Sequence, residues 1–307
     1  MRQWMTIVRH WLEYASAWFM LKTLGSLPRS WALAIGECVG WLTYYAWRRL
    51  RKVGHRNLML AFPMLSAYER RSLLKRSFRN LGRLLGEFSQ FPRLTPETIR
   101  AIVTYEGLEH YERARAHGRG VLILTAHFGA WELSAFAHAL YGYPMAVVVR
   151  PLDNPRLDRL IAAYRTLSGN RLISKRDAAR HILRALRAGE TIGVLMDVNT
   201  QPHEGLFCEF FGRPACTSPL IARLALRTGA PVVPGFLIWN ERTRTHLLHF
   251  DPPIPLIRTG DEERDAQLNT ERFNQVLESV IRRYPDHWLW VHKRWQTRPP
   301  GEPPLYD

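Results

Sequence analysis

The sequence predicts an α/β fold: a mostly parallel central sheet flanked by helices, preceded by an N-terminal membrane-associated helical segment. Three observations predict it. Between Val121 and Asp251, short apolar runs alternate with helical segments, the pattern of a largely parallel sheet covered on both faces. Residues 53–120 read as helical and basic. Six of the eleven tryptophans fall in the first 47 residues, at Trp4, Trp11, Trp18, Trp31, Trp41 and Trp47, and aromatic side chains of this kind belong at a membrane interface. The division is residues 1–52 as a membrane-anchoring helical segment, 53–297 as the α/β domain, and 298–307 as a loose Pro-rich tail.

The stretch WALAIGECVGWLTYYAW, residues 31–47, carries one charge, Glu37. Its length is at the short edge of what spans a bilayer. Arg48, Arg49, Arg51 and Lys52 follow at once, which puts that flank on the cytoplasmic side if the segment spans. It can equally lie flat as an interfacial helix, or be a buried aromatic helix, since Gly36, Gly40 and Glu37 also suit helix packing. Glu13 and Lys22 make an earlier second span doubtful. No small-x-small site follows a compact apolar run, so a signal peptide is not expected.

Ser66 precedes Glu69 at capping-box spacing, and Leu73, Leu74, Phe78, Leu81 and Leu85 recur at helical intervals until Pro92 and Pro96. VLILTA (121–126), MAVVVR (145–150) and TIGVLMD (191–197) read as buried strands, with PVVPGFLIW (231–239) and THLLHFD (245–251) after them. Helices are expected after the first of these strands to about Leu140, from Asn154 to near Gly169, from Asp177 to Gly189, from Ser218-Pro219 to Gly229, and over roughly 264–283. The segment HWLWVHKRW (287–295) is either a membrane or acceptor contact or a packed terminal element with its cations outward.

The chain has 307 residues, 46% apolar, and a formal charge of +16 from 43 Lys and Arg against 27 Asp and Glu. Such a surplus favours an anionic partner. The cations are spread along the chain and no nucleic-acid motif is present, so no nucleic acid is expected. Cys38, Cys208 and Cys216 form no CxxC, which argues against a disulfide framework or a zinc site.

In parallel α/β sheets, functional groups gather at the carboxyl ends of strands. That rule selects three places. The first is Thr125-Ala126-His127-Phe128-Gly129-Ala130-Trp131-Glu132. On one straight helix, residues five apart point about 140° away from each other, so His127 and Glu132 meet only if the chain bends, and Gly129 is placed to allow that. A carboxylate on Nδ1 would fix the tautomer and leave Nε2 as a base for an alcohol attacking an activated acyl group. The spacing is also that of a strand-end His followed by an exposed helical Glu. With no GxSxG and no cysteine in a basic pocket, an acyl-enzyme is not suggested. The second place is Arg150-Pro151-Leu152-Asp153: Arg150 can hold a phosphate or carboxylate, or pair with Asp153. The third is Asp197-Val198-Asn199, whose acid and amide can orient a sugar hydroxyl, bond a loop backbone or pair with Arg176.

HFGAWE, RPLDNP, Phe210-Phe211-Gly212 and Ala230-Pro231-Val232-Val233-Pro234 occur in that order. They resemble the lysophospholipid acyltransferase-like superfamily, and more closely the late (secondary) acyltransferases of lipid A biosynthesis. His55-Arg56-Asn57-Leu58, Phe62-Pro63 and Glu69-Arg70-Arg71 match that family's upstream helical region; Trp288 through Trp295 with Thr297-Arg298-Pro299 matches its C-terminal signature. The resemblance covers nearly the whole chain. It implies His127 as general base with Glu132 as its partner, Arg150 on a phosphate, and Asp197, Arg176 and Gly212 among the substrate-binding residues. It implies an acyl thioester donor, usually on acyl carrier protein, and as acceptor a hydroxyl of a Kdo-bearing lipid A precursor. Another glycolipid, a lysophospholipid or an amino-lipid is the alternative acceptor. From a different class, the alternative is a non-catalytic basic membrane-binding protein. No cofactor or metal is expected. Anionic inner-membrane lipid is a further expected partner, at the cytoplasmic face of a bacterial inner membrane. Asn199 departs from family members that carry a second acid there.

Overall fold

The computed structural model describes residues 2–175 and 178–306. Four helices come first: α1 (Arg2–Ser26), α2 (Arg29–Ala46), α3 (Arg48–Ala61) and α4 (Ala67–Ser89). The capping box at Ser66 and Glu69 starts α4 as expected. Glycines fix how α2 meets α4. A Cβ on Gly36 would lie 2.3 Å from the Gly82 carbonyl oxygen, and one on Gly82 would lie 2.0 Å from that of Gly36. The two backbones therefore touch directly, and a methyl group at either position forces them apart.

This packing corrects the expectation of a span at 31–47. Among the described residues no helix is long and apolar enough to cross a membrane. Ala32, Leu33, Gly36, Glu37, Gly40 and Tyr44 are buried. Glu37, the one charge of the stretch, accepts from Arg79 Nη2 at 2.8 Å and Arg83 Nε at 3.0 Å, so its burial is compensated by paired cations. Trp31, Trp41 and Trp47 remain 65%, 44% and 58% exposed.

Among the described residues, the strands form a seven-stranded sheet and a separate hairpin. The sheet contains β1 (Val103–Glu106), β2 (Val121–Thr125), β3 (Met145–Val149), β4 (Arg171–Ser174), β5 (Thr191–Leu195), β8 (Val232–Asn240) and β9 (Thr245–Phe250). Its order is β1-β9-β8-β2-β5-β3-β4. Every neighbouring pair is parallel except β8 with β9, so β1 and β9 run against the other five. The hairpin pairs β6 (Leu206–Phe210) with β7 (Arg213–Thr217).

Alternation along β2 splits the core in two. Val121 and Ile123 join Leu133, Phe136 and Tyr164 from α6 (Trp131–Leu140) and α7 (Pro155–Thr166), with α5 (Leu108–Ala116) on the same face. Leu122 and Leu124 join Ile182, Ile221, Ala225, Phe273 and Leu277, which lie on α8 (Ala178–Arg187), α9 (Leu220–Thr228) and α10 (Glu262–Arg283). Asn154 caps α7 as expected, accepting from the Arg156 and Leu157 amides. The N-cap expected at Asp177 lies outside the described residues. Helix α9 begins at Leu220 with Pro219, not Ser218, as its flanking residue.

The aromatic-basic segment near the C-terminus is core. Trp288, Trp290, Arg294 and Trp295 are all fully buried. Arg294 points inward, against the expectation of outward cations, and donates from Nη1 to the Cys216 carbonyl at 2.9 Å and from Nη2 to Thr217 Oγ1 at 2.5 Å. Nor is the tail loose: Arg56 donates to the Leu305 carbonyl at 2.8 Å, and the Tyr306 hydroxyl bonds Asn57 at 2.5 Å and accepts from the Trp295 amide at 3.1 Å.

Candidate active site

The register of β2 with β5 builds the site. Thr125 pairs with Leu195, and the Met196 amide bonds the Thr125 carbonyl at 3.1 Å. One step further brings His127 beside Asp197. His127 Nδ1 lies 2.9 Å from Asp197 Oδ1, and the His127 backbone N–H donates to Oδ2 at 3.1 Å. Trp288 Nε1 also donates to Oδ2, at 2.7 Å. Asp197 thus accepts three hydrogen bonds, and its side chain is only 2% exposed. Burial acts to raise its pKa, but His127, Trp288 and the His127 amide outweigh burial and hold the carboxyl down at about 2. For His127, burial acts to lower the pKa; Asp197 and then Glu132 outweigh it, with Arg165 opposing, and the imidazole is raised above its ordinary value. With Nδ1 on Asp197, Nε2 is the nitrogen left to act on a ligand, and the imidazole is 23% exposed.

Glu132 does not take the place expected for it. Gly129 does bend the chain, at φ 57°. Its N–H donates to the His287 carbonyl at 2.8 Å, and a Cβ there would sit 2.3 Å from the Leu237 carbonyl oxygen. The bend delivers Glu132 to Arg165 instead, whose Nε and Nη2 donate to its two oxygens at 2.8 and 2.5 Å. Nδ1 of His127 is taken by Asp197, so Glu132 acts on the imidazole through its charge and not through a hydrogen bond to that nitrogen.

The other sequence candidates fall apart in space. Arg150 follows β3 and shares the sheet edge with His127, with β5 between the two strands. Its side chain is 79% exposed, and Asp153 lies 3.6 Å away. Gly212 turns the β6–β7 hairpin together with Phe211, at φ 70° and 53°, the backbone that a two-residue turn demands. Arg176 lies outside the described residues. Asn199 is committed to the C-terminal segment: its N–H donates to His292 Nε2 at 3.0 Å, and its side chain bonds the Thr297 amide and hydroxyl, each at 3.0 Å.

Arg165, Trp288 and His292 complete the surroundings of the His127–Asp197 pair, and no local sequence pattern assigns any of them there. Burial pushes the His292 pKa down to about 4 against the pull of Asp197, so a second, neutral imidazole stands near the first. Nothing local in the sequence joins Arg165 to Glu132; strand order alone brings their elements together.

A narrow, partly enclosed cavity of about 60 Å³ lies between α6 and the sheet. Thr125, Glu132 and Arg165 line it at the strand ends where His127 sits, Gly235 and Phe250 line it across the neighbouring strands, and Met145, in register with Thr191 and through it Val121, lines it toward the opposite ends. Apolar atoms dominate the wall. Glycine at 193 and 235 helps keep the space open: a Cβ on Gly235 would meet the Phe250 ring at 2.6 Å, and one on Gly193 would meet the Met145 sulfur at 3.1 Å.

Comparison with known proteins fits this geometry. The family model for bacterial lipid A biosynthesis acyltransferases matches residues 2–297. The chain is 29% identical over 306 residues to the lipid A biosynthesis lauroyltransferase of Escherichia coli K12, covering 99% of this chain and 95% of the relative. It is 28% identical over 302 residues to the palmitoleoyltransferase of the same organism, covering 97% and 95%. With the myristoyltransferase it shares 28% over 246 residues, covering 80% and 75%.

Proposed function

The chain belongs to the bacterial lipid A biosynthesis acyltransferase family and is an acyltransferase, and from that premise we propose that it moves a fatty acyl chain from an acyl carrier protein thioester to a hydroxyl of a Kdo-lipid A precursor, with His127 as general base. The observation that carries this reading is the His127–Asp197 pair at the edge of β2 and β5, opening beside an apolar cavity.

The geometry supports the following chemistry. His127 Nε2 takes the proton of the acceptor hydroxyl as its oxygen attacks the thioester carbonyl carbon. Asp197 holds the tautomer and stabilises the imidazolium. Collapse of the tetrahedral adduct breaks the carbon–sulfur bond, and the imidazolium returns its proton to the departing thiolate. The acyl chain lies in the cavity under α6, where the apolar wall favours it by about 0.8 kcal/mol per buried methylene. Glu132 and Arg165, a paired and partly buried couple at that end of the cavity, position the reacting groups. Arg150, exposed and 3.6 Å from Asp153, binds a phosphate of the donor or acceptor. Acidic carrier protein, phosphorylated glycolipid and anionic inner-membrane lipid each suit the charge of +16. The cytoplasmic face of that membrane is where all three meet.

The test is purified full-length protein with a series of acyl carrier protein thioesters and a Kdo-lipid A precursor, read by mass spectrometry. A mass gain of one acyl group that disappears in His127→Ala is expected. Transfer confined to a lysophospholipid or an amino-lipid offered in parallel would replace the acceptor, and unchanged transfer by folded His127→Ala would remove the base.

A further inference from the structure

The cavity beneath α6 is apolar along most of its length but contains a histidine. His138 lies on α6 six residues beyond Glu132 and lines the cavity. At about 1.5 Å per residue, that places it roughly 9 Å along the helix from the end where His127 sits. It is completely buried. Its Nδ1 is 2.6 Å from the Tyr105 hydroxyl, and Tyr111, Tyr143 and Phe250 pack around its ring with centroids 4.6, 5.1 and 5.3 Å away. Among the described residues Nε2 has no hydrogen-bond partner.

Burial, with a smaller push from Arg115, drives the His138 pKa down to about 3. The imidazole is therefore neutral near pH 7. Burial also raises the Tyr105 phenol, which keeps its proton. A phenol that donates to Nδ1 leaves the imidazole proton on Nε2. In either tautomer, the cavity lining includes a buried ring nitrogen that has no hydrogen-bond partner among the described residues. An acyl end that reaches this ring meets a polar nitrogen fixed in place by Tyr105 and packed among aromatic rings, and it gains neither a hydrogen bond nor further apolar space there.

We infer that His138, held by Tyr105, is the polar floor of the acyl cavity and limits the length of the chain that fits. This rests on the reading that the cavity takes an acyl chain. Chains that stop short of His138 gain contact with each added methylene; a chain long enough to reach it gains nothing further from the next one.

The test pairs wild-type full-length protein with the double variant Tyr105→Phe/His138→Leu. The double change removes both hydrogen-bonding partners together, so no polar group is stranded by the substitution and the fold is preserved. Equilibrium binding of saturated fatty acids of increasing length is measured by calorimetry, together with the acyl-length profile of transfer. The expected result is that affinity in the variant continues to rise past the wild-type plateau, by about fourfold per additional methylene, and that the transfer optimum moves to longer chains. His138→Ala, which opens more space, should extend the plateau further. An identical binding plateau in wild type and both variants would overturn the inference. Binding that lengthens in the variants without any acyl transfer would sink the proposed function and leave the floor standing.

Discussion

His127 Nδ1 is bonded to Asp197, seventy residues away in sequence, while Glu132, five residues away, gives both carboxylate oxygens to Arg165. The orienting acid of the imidazole therefore comes from the neighbouring strand and not from the motif that contains the histidine. The first prediction is that Asp197→Asn lowers kcat by about 10²–10⁴-fold. The amide keeps the volume, removes the charge and favours the wrong tautomer. The double change with His127→Ala should be little worse than either alone, as for groups acting as a unit. Steady-state kinetics on variants with wild-type circular dichroism provide the check, and a near-wild-type rate for Asp197→Asn would sink the pairing.

The pH dependence has a definite sign. A general base works when neutral, and His127 has its pKa raised above 6.5, chiefly because Asp197 outweighs burial. The acidic limb of kcat/KM should therefore fall away above the pH at which a free imidazole titrates, with activity decreasing as pH drops. Asp197→Asn removes the strongest raising influence, so its residual activity should have the limb shifted to lower pH. A limb that stays fixed in the variant would assign it to another group.

Glu132 and Arg165 form a bidentate pair, 17% and 26% exposed, so removing one partner leaves the other poorly solvated. Glu132→Gln and Arg165→Gln should each impair turnover, and the double variant should lose less than the product of the two. A double-mutant cycle on kcat/KM should give a coupling of about 0.5–3 kcal/mol. Strict additivity would show that the two act separately. Glu132 also helps to raise His127, so Glu132→Gln should move the acidic limb slightly down, whereas Arg165→Gln should move it up.

Much of the fold is legible in the sequence, and what is not has physical causes. The strands at Val121, Met145 and Thr191 were readable because strands buried on both faces are unbroken apolar runs. β1 and β4 were not, with four residues each and only one buried position in either. The sheet-edge rule located both His127 and Asp197, but adjacency depends on strand order, and a β2–β5 neighbourhood crosses two intervening strands in sequence. The His-x4-Glu spacing, with Gly129 to bend the chain, points to Glu132 as the partner of His127, and no local pattern points to Asp197 in that role. The aromatic segment 31–47 was ambiguous for a different reason: glycines at helical spacing suit both lipid-facing and helix-facing surfaces, and only the partner glycines on α4 decide.

That helix contact carries its own stability prediction. Gly82→Ala puts a methyl group where 2.0 Å separates it from the Gly36 carbonyl oxygen, so α2 and α4 must shift apart. Destabilisation of about 1–3 kcal/mol is expected, despite the better helix propensity of alanine, read as a lower midpoint in urea with little change in slope. An unchanged or higher midpoint would mean that the helices do not meet at this distance.

The final prediction concerns the aromatic face. No helix among the described residues is built to cross a bilayer, yet Trp31, Trp41 and Trp47 are exposed along α2 and its end, and Arg48 and Arg49 follow. An amphipathic tryptophan belongs where lipid meets water, and a cation beside an anionic leaflet contributes about 1 kcal/mol. Deleting the first 47 residues would be an ambiguous test, because it also strips the buried face of α2 from α4. Substitution avoids this. Trp31→Ser/Trp41→Ser/Trp47→Ser should weaken partition onto vesicles at every salt concentration, since it removes apolar contact. Arg48→Glu/Arg49→Glu should weaken it mainly at low salt and on vesicles containing anionic lipid, since screening already suppresses the charge term at high salt. Vesicle flotation with both variants reads the two contributions separately. Partition equal to wild type in the tryptophan variant would exclude this face as the anchor, and loss confined to the arginine variant would make the attachment purely electrostatic.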